Sequence, residues 1–341
     1  MIVYFLMGSV SSYLLGLYTK NKKNKIFLIL SFLPFFLILG LRYGIGYDYL
    51  HIYTPIFNNI VNGGKTNWEI GAVAICKLIG IFTKDPFYFF FITSFITSFV
   101  TYKAINENSE IPWLSLLLFV LAGFYMESMN IVRQSIAISI FIYSYKYIYD
   151  KNLKKYIISI IIASLFHESA IILLPIYFIC NMKLTKRKLI FIFLGILIVL
   201  PITNVIFMKF LSFSQYSHYM LGTYSEINPT YSELIVSIII FLFLTTFKIK
   251  EDKMYNILYI MSFIFFAVSI LSFKIILAYR LVMYFKISLI FSIPKAISKI
   301  ENKKNRVLFI LLFIVMFSGI TLIGAYKYNW YDTKYISIFD K

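Results

Sequence analysis

Long apolar runs follow one another down the chain with only short basic interruptions, a pattern that no soluble core absorbs. Runs long enough, or nearly so, to cross roughly 30 Å of hydrocarbon lie near residues 2–19, 26–41, 86–103, 112–128, 132–149, 189–208, 233–248, 254–273, 277–294 and 307–325. Hydrophobic residues fill 60% of the 341 positions and mean hydropathy is +0.81, more apolar surface than a domain of this length can bury. The expected fold class is therefore all-α, a polytopic membrane protein with about ten transmembrane helices. It reads as a single integral membrane domain over 1–341, with external loops at 42–85 and 209–232. The N-terminus is apolar from Ile2 and lacks a basic n-region and a small-residue cleavage site, so it reads as an uncleaved first helix.

Two segments do not thread so simply. "WEIGAVAICKLIGIFT", residues 68–83, is short for a span and carries Lys77 in its middle, which suggests a re-entrant or interfacial helix. "YIISIIIASLFHESAIILLPIYFIC", residues 156–180, is flanked by Lys151, Lys154 and Lys155 before it and by Lys183, Lys186, Arg187 and Lys188 after it. Basic residues on both flanks put both flanks inside. A hairpin with "FHES" at its tip satisfies this, and broken helices are tolerated at membrane depth only where protein or a watery cavity surrounds them. Most of the 33 lysines and arginines then fall on the cytoplasmic side, in the clusters Lys20–Lys25, Lys146–Lys155, Lys183–Lys188, Lys248–Lys253 and Lys295–Arg306. That distribution accounts for the net charge of +18 without nucleic acid.

The remaining arginines are informative because they were not used to build this topology. Arg42, Arg133 and Arg280 all fall at the external face, where other basic charge is sparse. Snorkelling to headgroups is the plain alternative for any one of them. Arginine also grips phosphate oxygens bidentately, and a pyrophosphate-bearing lipid is the natural anion at this location. Asn130, Arg133 and Gln134 stand at i, i+3 and i+4, so all three project from one face at the start of a span, a face suited to phosphate and sugar hydroxyls. Each half of the 156–180 hairpin is only about 17 Å long at helical rise. His167 at its tip, with Glu168 and Ser169 beside it, therefore points toward the external face in a cavity open outward and sunk into the bundle. An imidazole suits a general base, and Glu168 or Asp48 could do the same work.

In "LRYGIGYDYLHIY", residues 41–53, Gly44 and Gly46 favour a loop, with Asp48 and His51 at i, i+3. Its tyrosines suit either sugar stacking or an interfacial belt. Glu69 opens the re-entrant helix and is placed to pair with an arginine. Cys76 and Cys180 have neither metal-ligand spacing nor a CxxC context. No GxGxxG, Walker A, HExxH, GxSxG or DxD motif appears, so no cofactor, metal or nucleotide site is expected.

Taken in order, these segments resemble a known family. "LRYGIGYDYLHIY" resembles the R-x-G-x-D-Y segment of EpsG-type exopolysaccharide and capsule polymerases, relatives of the Wzy O-antigen polymerases. "NIVRQSIAISIFIYS" and the following "YIISIIIASLFHESAIILLPI" are similar to that family's R-Q-x-[IL]-A segment and A-x-x-x-H-x-[ST]-A hairpin. "YRLVMYF" resembles its C-terminal arginine segment. The resemblance implies a GT-C-like, metal-independent glycosyltransferase in the bacterial cytoplasmic membrane, acting outside on undecaprenyl-pyrophosphate-linked repeat units. By motif it carries over Arg42, Asp48, Arg133, Gln134, His167 and Arg280. Arg133 and Arg280 would hold the departing pyrophosphate, and Arg42 the acceptor lipid's diphosphate. The implied partners are the lipid-linked oligosaccharide, membrane lipid, a flippase upstream and a chain-length regulator. The rival readings are a ligase sharing the donor chemistry and a flippase for the lipid-linked unit. The flippase predicts basic residues along a path to the inner leaflet rather than at one face.

Overall fold

The computed structural model describes residues 1–21, 24–182, 191–192, 194–195, 231–246, 252–273, 276–328 and 335–340. Most of the expected span 189–208, the expected loop 209–232 up to residue 230 and the cluster Lys183–Lys188 lie outside them. Among the described residues the regular structure is helical, with a single isolated backbone bridge between Arg42 and Ser337. Two compact units are distinguished, residues 1–174 with 294–341 and residues 175–293.

The first unit opens with α1 (Ile2–Lys20) and α2 (Lys25–Gly40), packed side by side. Asn24 caps α2 by accepting the Ile26 N–H at 3.1 Å, which satisfies a donor that the helix itself leaves open. A loop with left-handed Gly44 and Gly46 follows, as their lack of a Cβ allows. It leads through a π-helical turn (Tyr49–Tyr53) to α3 (Thr54–Val61) and α4 (Ile70–Gly80). α5 (Phe87–Asn108) buries a stripe of Thr93, Ser94, Thr97, Ser98 and Thr101, small residues that let helices approach closely, and packs against α2 and the helix Val132–Tyr143.

Three breaks then divide what composition reads as two spans. α6 (Pro112–Leu121) and α7 (Phe124–Asn130) meet at 54° across Gly123, which sits at φ 87. Ile131, at φ −87 and ψ 52, separates α7 from α8 (Val132–Tyr143), and Ser144 separates α8 from α9 (Tyr145–Tyr149). α10 (Leu153–Ser164) is capped by Asn152, and after His167 a 3₁₀ segment (Glu168–Leu173) folds back along it. The Tyr156 hydroxyl donates to the Leu173 carbonyl at 2.6 Å and ties the two arms. The helix Lys303–Tyr328 completes this unit and meets α6.

The second unit contains α11 (Ile176–Asn181) and the helices Tyr231–Thr246, Lys253–Leu271 and Ile276–Lys286. Phe241 stacks on Tyr259 and Phe266 between the first long pair. Lys286 donates to Glu233 at 2.8 Å.

Five helical stretches among the described residues are long and apolar enough to cross a membrane: Ile2–Lys20, Phe87–Asn108, Lys253–Leu271, Arg280–Ser298 and Lys303–Ala325. The bent pair α6–α7 makes a sixth if it is one crossing. The difference from about ten has several sources. Lys25–Gly40 stops at 16 residues, the break at Ser144 leaves α8 with 12, only residues 231–246 of the helix at the expected span 233–248 are described, and the expected span 189–208 lies mostly outside the described residues.

Arg42 holds the loop after α2. It is 0% exposed, and its guanidinium donates to the Leu39 carbonyl at 2.5 Å, Ser94 Oγ at 2.8 Å and the Met129 carbonyl at 3.3 Å. A cation is favourable at the carbonyl end of a helix, and here it also faces the Phe90 ring at 5.4 Å. The backbone on either side pairs with the C-terminal segment, Tyr43 N–H to Ile336 O and Ile338 N–H to Leu41 O, both at 2.9 Å. Arg42 is thus buried behind the loop, with its two terminal nitrogens on three internal oxygens and its Nε without a hydrogen bond. Arg42→Ala is expected to cost about 3 kcal/mol, through a cavity and stranded carbonyls. A lowered unfolding midpoint in detergent measures it.

Candidate functional site

The site begins with α4. Its first residues dock on the turn that presents His167: the Gly71 N–H donates to the Leu165 carbonyl at 2.8 Å. This approach needs a glycine, because a Cβ at position 71 would lie 2.6 Å from the Leu165 oxygen, and backbone cannot step aside as a flexible side chain can. The docking sets Glu69, just before α4, against the hairpin. One carboxylate oxygen, Oε1, accepts the Glu168 N–H at 3.2 Å and faces His167 Nδ1 at 3.3 Å. The other, Oε2, is paired with Arg133 at the start of α8.

Arg133, Glu69 and His167 therefore meet on one carboxylate, with side-chain exposures of 24%, 14% and 14%, half-screened yet reachable from outside. The Arg133 guanidinium carbon lies 4.9 Å from the centroid of the Trp68 ring, a cation–π contact. Trp68 in turn packs on Tyr53 and Phe89. The buried Tyr53 hydroxyl contacts Arg133 and feels the charge of Asp48. Burial favours the neutral form of Glu69, but the contact with His167 and the Arg133 charge outweigh it and hold its pKa down at about 2. Glu69 is consequently a fixed anion, not a proton carrier, at any pH a cell experiences.

The other expected residues divide between this centre and its surroundings. Asp48 is half-buried on the neighbouring loop, and its N–H donates to Asn130 Oδ1 at 3.0 Å. Asn130 thereby serves the backbone; Gly46, at φ 92, makes room, since a Cβ there would sit 3.3 Å from that same oxygen. The expected shared face of Asn130, Arg133 and Gln134 is corrected, because the break at Ile131 puts Asn130 on α7 and the other two on α8. Gln134 is 5% exposed, turned inward beside Arg133. Glu168 contributes its backbone while its side chain is exposed. His51 lies in the π-turn and stacks on the exposed Tyr47 at 4.6 Å. Arg280 lies in the second unit, half-buried on the helix Ile276–Lys286, and is not among the residues that the first unit assembles.

Gly71 and Trp68 were missed from sequence. Gly71 follows the first residue of a short helix, a position where glycine is a poor helix former and invites a packing reason. Gly71→Ala is expected to unseat α4 from the hairpin, lowering activity by about tenfold or more while the distant spans stay folded. Protease nicking confined to the 42–85 region, compared with wild type, would reveal it.

A helix-bundle membrane protein with a charged Arg–Glu–His centre built on broken helices is what the fold and the site define. The chain belongs to the EpsG family, whose model matches residues 25–336. That membership makes it an exopolysaccharide-polymerase-like membrane protein. Comparison with curated proteins and with solved structures gave no match in either.

Proposed function

We propose that the protein is a membrane polysaccharide polymerase that moves a growing glycan from undecaprenyl pyrophosphate onto a lipid-linked oligosaccharide repeat unit, at the outer face of the bacterial cytoplasmic membrane. Family membership supports the reaction class. One observation supports the placement of the chemistry: Glu69 holds a phosphate-competent arginine on one oxygen and an imidazole on the other.

In the proposed step a hydroxyl oxygen of the acceptor unit attacks the anomeric carbon of the donor. The bond from that carbon to the pyrophosphate oxygen breaks, and its electron pair departs with the pyrophosphate. The hydroxyl proton passes to Nε2 of His167, the nitrogen turned away from Glu69, with Glu168 and Asp48 as the alternative acceptors. Arg133 stabilises the departing charge. Metal is not required in this scheme, since arginine supplies the positive charge. The GT-C-like bundle, with about ten crossings and re-entrant segments near 68–83 and 156–180, keeps this chemistry outward-facing. A flippase would deliver the substrate and a chain-length regulator would limit it.

The test is direct. Purified protein supplied with the host's lipid-linked repeat unit should yield dimers and longer oligomers still carrying lipid pyrophosphate, read by mass spectrometry. Consumption of substrate only when a separate acceptor is added would identify a ligase. Leaflet exchange in liposomes without any new glycosidic bond would identify a flippase.

A further inference from the structure

Glu69 presents an arrangement that a static ion pair does not explain. Among the described residues, the buried side-chain nitrogens lacking a hydrogen bond include Arg133 Nε and His167 Nδ1, and both flank this one carboxylate. Buried polar groups are normally satisfied, so two orphans around one anion point to a second arrangement of the same three side chains. The contact between Nδ1 and Oε1, at 3.3 Å, brings the two within reach without hydrogen-bond geometry. Arg133 meanwhile spends one terminal nitrogen on Oε2 and leaves its Nε edge unused.

We infer that Glu69 is an exchange carboxylate that couples anion binding to the imidazole. A diphosphate takes the fork of Arg133, using Nε and a terminal nitrogen bidentately, and displaces Oε2. The freed carboxylate turns its full charge to His167, accepting from Nδ1–H, which fixes the tautomer with Nε2 as the basic nitrogen. Loading of the phosphate site thus readies the base, and an empty site holds the base slack. Glu69 is a positioning residue in this scheme; it touches neither the reacting carbon nor the phosphate. The anchoring N–H of Glu168 on Oε1 supplies the pivot, since it holds one oxygen while the other changes partner. The coupling rests on the polymerase reading only for its purpose, because the exchange itself needs just an anion and three side chains.

The experiment uses full-length protein in detergent, with inorganic pyrophosphate as the probe and Glu69→Gln as the variant. Glutamine keeps the shape and the acceptor for the Glu168 N–H while losing the charge that competes for Arg133. The expected result is opposed signs: pyrophosphate binds about tenfold tighter, because a self-occupied arginine is released, while glycan extension falls at least about tenfold. A structural role for Glu69 would lower both together, and weaker pyrophosphate binding overturns the exchange. Wild type provides an independent reading, because His167 is one of 3 histidines. With ¹⁵N-labelled histidine, pyrophosphate should move the Nδ1 resonance of His167 in the direction of a carboxylate-bonded N–H. An unmoved signal at saturating pyrophosphate also sinks the proposal. Tighter pyrophosphate binding in Glu69→Gln without oligomers from wild type would retain the exchange and discard the polymerase; oligomers from wild type with weaker pyrophosphate binding in the variant would do the reverse.

Discussion

Arg133→Ala is expected to slow glycan extension at least about 100-fold, with the loss carried by the chemical step. The guanidinium lies over Trp68 and is anchored by Glu69, so it is already placed when charge develops on a leaving phosphate. Arg133→Lys keeps the charge but not the planar fork and should recover only part of the rate. The alanine variant has a second consequence, because it strands the half-buried Glu69 anion, and breaking such a pair costs about 3–5 kcal/mol when fully buried. The double variant Arg133→Ala with Glu69→Gln separates the two effects. It should regain thermal stability in detergent and remain slow. Recovery of extension in the double variant would make Arg133 a counter-ion for Glu69 and nothing more.

How much of this centre could be read before folding follows from the kind of information each residue carries. The apolar runs located most of the helices because membrane solvation is a strong, one-dimensional constraint. The break at "FHES" and the loop through Gly44 and Gly46 were also legible, one from charge on both flanks and the other from paired glycines. The breaks at Gly123, Ile131 and Ser144 were not, since no proline marks them and tertiary packing decides them. The face assigned to Asn130, Arg133 and Gln134 failed for that reason: i, i+3, i+4 arithmetic presumes an unbroken helix. The internal bonding of Arg42 was not legible either, because an arginine that caps internal carbonyls and one that grips phosphate look alike in sequence. Glu69 reaches across 64 residues to Arg133 and 99 to Glu168, and only the docking of Gly71 on Leu165 brings them together.

His167→Gln is expected to lower kcat by roughly 100- to 10,000-fold with KM little changed, the range for loss of a general base. The alternatives weigh less in the geometry. Glu168 turns its side chain outward, and Asp48 is tied by its backbone to Asn130, so Glu168→Gln and Asp48→Asn should each cost less than about tenfold. A larger loss in either carboxylate variant than in His167→Gln would move the base there. The pH profile gives a second test, and Glu69 makes it clean. Its pKa, near 2 in the folded protein, lies below the ordinary carboxylate value, so its stabilising contribution is complete above that ordinary value and is lost only as pH falls through about 2. Between pH 5 and 8 Glu69 therefore binds no proton. An activity limb in that window that persists in Glu69→Gln and disappears in His167→Gln belongs to the imidazole; a limb that survives in His167→Gln assigns proton transfer to another group.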